Sequence, residues 1–150
     1  MSYRKKFSIK GLKPGAAFSA SLQPVLTHYL KRIYKRAEKY LDAQTEENLH
    51  DLRIALRRFR YVLELYVTRL KPKRFDEIYD LSITLQNVLG DRRDVDVMHE
   101  RLLSIYRMGE AELPALIVAD LEQSKALLNT QIEKILTEFM RNKQIRKIAE

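Results

Sequence analysis

The sequence predicts an all-α fold, an antiparallel helical bundle of about five helices, and three observations predict it. Apolar residues recur at steps of three and four along most of the chain, the period of a helix with one buried face. Only four glycines and four prolines interrupt 150 residues, and there is no tryptophan. Strand-like alternation is absent outside the first fifteen residues. Hydrophobic content of 45% and charged content of 32% suit a globular chain of one domain with its own core.

Residues 1–15 read as an N-terminal arm, ended by Lys13-Pro14-Gly15, and residues 16–150 as the bundle. In the first helix Phe18, Leu22, Val25 or Leu26, Tyr29 or Leu30, Ile33, Ala37 and Tyr40 or Leu41 form the apolar stripe. Pro24 lies inside it, so the helix either starts near Pro24 or kinks there. Thr45 is the expected N-cap of a second helix running to about Leu70, before Lys71-Pro72-Lys73. A third helix is expected over residues 74–89, with Gly90-Asp91 as its stop. Asp91 or Asp94 then caps a fourth, carrying Val95, Val97 or Met98, Leu102 or Leu103, and Tyr106. Gly109 and Pro114 bracket the next break. A final helix covers residues 114–139 or beyond, and the basic residues 141–147 are expected to fray or be solvated.

Charge is distributed unevenly. Residues 1–75 hold 18 Lys+Arg against 6 Asp+Glu, whereas residues 76–150 hold 10 against 14, within a net charge of +8. A positive first half implies an anionic partner: nucleic acid, an anionic membrane face or a phosphate-rich molecule. The absence of cysteine excludes disulfides, thiolate chemistry and cysteine-ligated metals. No apolar run approaches the ~18 residues of a membrane span. The basic start lacks the apolar core of a secretory signal, and the expected compartment is the cytoplasm.

The second helix concentrates this charge. At about 100° per residue, His50, Arg53, Arg57 and Arg60 fall within an arc of roughly 80°. Leu52, Leu56, Phe59, Leu63 and Tyr66 form the main apolar face, and Ile54, Tyr61 and Leu65 flank the row on its other side. Within residues 50–65 only Asp51 and Glu64 are acidic, so the row lacks the regular i,i+4 partners of a solvated basic face. Arginine, with its fork of donors, is also the residue suited to phosphate oxygens. The competing reading is an ordinary charged face. On the first helix, His28, Lys31, Arg32, Lys35 and Lys39 make a second stripe. It is either a lysine-rich surface or, if the two helices pack as antiparallel neighbours, part of the same groove. Asp91-Arg92-Arg93-Asp94-Val95-Asp96-Val97 reads as a helix start with internal ion pairs. Alternatively, Arg93 joins the groove while Asp94 or Asp96 orients arginines.

The pair of motifs His50-Asp-Leu-Arg-Ile-Ala-Leu-Arg-Arg-Phe-Arg and Leu89-Gly-Asp-Arg-Arg-Asp-Val-Asp-Val resembles the CHAD family, the conserved histidine α-helical domains. The resemblance extends over roughly residues 16–106 and matches His50, Arg53, Arg57, Arg58, Arg60 and Arg93 to family motif positions. It implies a helical protein that binds inorganic polyphosphate in a basic channel, with a triphosphate-handling phosphatase as a partner. It also implies an association with polyphosphate granules. Family domains usually have two bundles facing each other across the channel. Here the later half carries no second basic motif, so a homodimer is expected to supply the other wall.

An enzyme is not expected. His50-Asp51 evokes metal-dependent phosphohydrolases of the HD type, with His28, Asp94, Asp96 and His99 as further ligands, but four arginines on that helix oppose cation binding. Asp51 also points about 100° away from His50. No nucleophile–base pair, phosphate loop or cofactor fingerprint is present, so neither a cofactor nor a metal is expected. Polyphosphate binding by His50, Arg53, Arg57, Arg58, Arg60, Arg93, Lys31 and Lys35 is the leading expectation. General polyanion or nucleic-acid binding is the alternative, weakened by the lack of Asn or Gln among the arginines and of an aromatic stacking platform.

Overall fold

A computed structural model describes residues 8–149. Residues 8–17 are non-helical and carry two turns, closed by Leu12 N–H to the Ile9 carbonyl and Ala16 N–H to the Lys13 carbonyl, each 3.1 Å. The rest of the expected arm lies outside the described residues. Five α-helices follow: α1 (Phe18–Asp42), α2 (Glu46–Leu65), α3 (Pro72–Met108), α4 (Ala115–Arg141) and α5 (Lys143–Ala149). A single 3-10 turn, Val67–Arg69, joins α2 to α3. The fold is an all-α bundle, with no strand among the described residues.

Helix α1 begins at Phe18 and runs through Pro24, which therefore does not start it. Lacking an N–H, Pro24 leaves the Ala20 carbonyl without its helical partner, a cost borne near the helix start. Thr45 caps α2 as expected, its Oγ1 accepting the Asn48 N–H at 3.2 Å, and Glu46 and Glu47 suit the positive end of the helix dipole. The helix closes at Leu65 rather than Leu70, because the 3-10 turn is needed to bring Leu70 back into the core.

Two expectations about breaks are overturned. Gly90 is not a stop: α3 is one helix of 37 residues that passes straight through it. The motif around Gly90 is punctuated only by glycine's helix cost of roughly 1 kcal/mol relative to alanine, which packing on both sides outweighs. Ile78, Leu85, Val88 and Leu89 are buried before it, and Arg92 and Asp96 after it. Residues 141–147 are not frayed either. The chain bends at Asn142, whose Oδ1 accepts the Gln144 and Ile145 N–H groups at 2.9 and 3.1 Å and so caps α5. Ile145 and Ile148 are buried, and the Ile148 carbonyl accepts from the side chains of Gln23 and Thr27 on α1. Among the described residues the expected total of about five helices is met, although one expected break is missing and an unexpected one takes its place.

The core gathers Leu30 and Ile33 of α1, Leu52, Leu56, Phe59 and Leu63 of α2, Ile78 and Leu85 of α3, and Ile132, Leu136 and Phe139 of α4. Phe59 and Phe139 meet edge to face with centroids 6.3 Å apart. Helices α2 and α3 run antiparallel, and three polar contacts fix their register. Tyr79 donates to Glu64 (2.8 Å), Arg60 to Gln86 (2.8 Å) and Arg93 to Glu46 (3.5 Å). Beyond this bundle the far end of α3 and the start of α4 continue as a hairpin that leaves Met98, Ile105, Met108, Leu116 and Leu127 exposed.

Gly90 has no positive φ, and a Cβ built on it meets nothing within 4 Å. Gly90→Ala is therefore expected to raise unfolding stability by about 0.5–1 kcal/mol. Urea denaturation checks this; a loss of stability would restore the helix stop.

Candidate anion-binding site

The row on α2 emerges as one wall of a groove. His50, Arg53, Arg57 and Arg60 line a cavity of about 330 Å³ together with Ile54 and Tyr61, and Gln86 of α3 closes the opposite side. No carboxylate is in the lining. The row has this position because Leu52, Leu56, Phe59 and Leu63 turn the adjacent face of α2 into the core, leaving the arginines at its edge beside α3.

Each guanidinium is held differently. Arg57 Nε donates to the Tyr61 hydroxyl at 2.8 Å. The Tyr61 ring lies under both Arg57 and Arg60, whose Cζ atoms are 5.5 and 5.3 Å from its centroid. Arg60 Nη1 donates to Gln86 Oε1, and Glu64 Oε1 lies 3.3 Å from Arg60 Nε at the end of the groove. Arg53 makes no ion pair with a described residue, and it is half-buried. Asp51 faces the other way and pairs with Arg36 of α1 at 2.8 Å, which separates it from His50. Among the described residues no group of three or more His, Asp or Glu is placed to hold a metal ion.

The remaining expected residues are not brought into this cavity. Arg58 is exposed, off the lining, and makes no ion pair with a described residue. Arg93 lies beyond one end of the groove, shared between Glu46 at 3.5 Å and Glu100 at 3.9 Å. Helices α1 and α2 do pack as neighbours, yet their basic stripes do not share a groove. Lys31 and Lys35 line a separate cavity of about 300 Å³ with Lys10, His28 and Arg32. The reason is phase: the side of α2 that meets α1 carries Asp51 and Ala55, away from the arginine row. In that second cavity burial, and then the charge of Arg32, push the His28 pKa below its ordinary 6.5, so the ring favours its neutral form there.

The aspartate-rich motif divides its work between two faces of α3. Asp96 does not orient the arginine row. It is 2% exposed, and its Oδ1 lies 2.5 Å from Nη1 of Arg92, which is also buried, with Lys125 Nζ of α4 at 3.7 Å. Arg92 Nε donates to Asn129 Oδ1 of α4 at 2.9 Å, and the buried Tyr40 hydroxyl of α1 donates to the same oxygen at 3.2 Å. Three helices meet in this network.

Gln86 was not among the expected site residues. It lies seven residues before Arg93, on the same face of an unbroken helix, and an assumed stop at Gly90 hides that relation. Tyr61 was visible as a flank of the row, but its joint contact with two arginines depends on rotamers that spacing does not specify.

Compared with known families, the sequence matches the CHAD domain over residues 5–103. The chain belongs to the CHAD family. No curated protein and no solved structure matches it. The CHAD match contains the whole arginine groove and the Arg92–Asp96 motif, whereas α4 and α5, which complete the core around Phe139 and Ile145, lie beyond it.

Removing one member of a buried ion pair leaves the other charge uncompensated. Asp96→Ala is expected to destabilise the CHAD bundle by about 3–5 kcal/mol. Thermal unfolding compared with the exposed control Asp94→Ala measures this, and equal melting of the two variants would remove the network's structural role.

Proposed function

We propose that this CHAD chain binds inorganic polyphosphate, without chemical turnover, along the α2 groove. The observation that carries the reading is a recess lined by His50, Arg53, Arg57 and Arg60 with no acid in its lining. Cations crowded in this way repel one another, and a chain of phosphoryl groups offsets that repulsion at each step. Arginine forks suit phosphoryl oxygens, and a polymer engages successive forks multivalently, so affinity rises with chain length and falls with salt. His50 adds a ring N–H that can donate to a phosphoryl oxygen. Family membership supports the same ligand.

Arg53→Ala with Arg57→Ala is expected to weaken long-chain polyphosphate binding at least tenfold, each charged contact contributing about 1.5–3 kcal/mol. Calorimetric titration at moderate salt reads this, and unchanged affinity removes the site assignment. Displacement of polyphosphate by an equal charge of nucleic-acid oligomer would favour the general polyanion reading instead.

A second copy of the chain is the proposed source of an opposing wall. Its support is the α3–α4 hairpin, which exposes Met98, Ile105, Met108, Leu116 and Leu127 beyond the bundle. Sedimentation is expected to show a dimer that Ile105→Glu with Leu116→Glu dissociates; a monomer that binds polyphosphate tightly would overturn it.

A further inference from the structure

A cavity of about 610 Å³, nearly twice the volume of the arginine groove, lies where the α2–α3 connection meets α5. Arg69, Lys71, Lys73, Arg74 and Lys147 line it, against the single carboxylate Glu77. None of these five cations makes an ion pair with a described residue. Arg69 rests over the Phe18 ring at 5.9 Å, which holds its guanidinium without neutralising it. Arg74 Nη2 donates to the Gln144 carbonyl at 3.2 Å, while its Nε is buried without a partner. Glu77 is itself engaged, accepting from Asn142 Nδ2 at 3.0 Å.

The same place is the start of α3. Its N-cap, Lys71, makes no side-chain cap, and its first turn contains no acid. The early N–H groups of a helix have no partner within it, and the dipole concentrates positive charge there. Lysine and arginine at this end are unfavourable in the free protein, and an anion reverses the sign of that interaction. The helix terminus and the cationic recess therefore ask for the same occupant.

We propose that this recess is a second anion site, independent of the α2 groove, which takes a compact oligophosphate of two or three phosphoryl groups. Five cations against one carboxylate match the charge of pyrophosphate or tripolyphosphate, and the volume exceeds what a single tetrahedral anion fills. The site is not an extension of the groove. Arg74 is twelve residues from Gln86, about 18 Å along α3, and Lys73 and Glu77 project from the opposite side of that helix.

The test is a pyrophosphate titration of the full chain followed by the backbone amide resonances of Lys73 and Arg74. Saturable shifts of both are expected, with affinity reduced at least tenfold in Lys71→Ala/Lys147→Ala and retained in Arg53→Ala/Arg57→Ala. The last arm separates this site from the groove, whose own failure leaves these two resonances responsive. Shifts that do not saturate, that sodium chloride of equal ionic strength reproduces, or that survive Lys71→Ala/Lys147→Ala overturn the site. Sulfate binding as tightly as pyrophosphate overturns the oligophosphate assignment.

Discussion

The buried contact between Arg92 and Asp96 is the interaction on which the rest of the bundle depends. Two charges this far from water are costly unless paired. Beside each other they have Asn129, which accepts from Arg92 and is itself held by the Tyr40 hydroxyl, and Lys125, 3.7 Å from Asp96. The network fixes the rotation of α3 about its own axis. Once Arg92 and Asp96 face α4 and α1, the face carrying Gln86 and Arg93 must turn toward α2. The groove is thus set from behind, by polar groups that take no part in it.

Holding the arginine row has its own electrostatic logic. Carboxylate partners for every guanidinium would stabilise the free protein and cancel the potential that an anion meets. The structure instead uses neutral or aromatic partners where it can. Tyr61 serves Arg57 and Arg60 together, Gln86 orients Arg60, and the one acid, Glu64, sits at the end of the groove and is shared with Tyr79. Such contacts order the side chains and leave their charge in place, which lowers the entropy lost when an anion binds.

The all-α class, the Thr45 cap, the Lys71-Pro72 break and the arginine row were all legible, because each rests on local periodicity or turn chemistry. Gly90 misled because glycine's preference for helix ends is statistical and small beside the packing of Leu85, Val88 and Leu89 on one side and Arg92 and Asp96 on the other. That error propagated. With α3 divided, Gln86 and Arg93 had no common face, and Asp96 had no reason to point away from the row. The short helix α5 was illegible for a different reason: its basic residues 143, 146 and 147 mask the two isoleucines that hold it to α1. Lys31 and Lys35 could not be placed by helical phase within α1 alone, since the side of α2 on which α1 packs is a tertiary fact.

Helical geometry also limits what the groove can recognise. Arg53, Arg57 and Arg60 rise by about 6 and 4.5 Å along α2, so their forks are spaced by a rigid rod and not by a loop that adapts. Ile54 and Tyr61 stand among these arginines and confine their ligand to a narrow line of approach. A flexible chain of phosphates adjusts its own torsions to such a row, whereas a stiff duplex meets a recessed row with only its outermost phosphates. On the proposed reading, selectivity comes from the recess and the apolar flanks, and charge density alone supplies only the attraction.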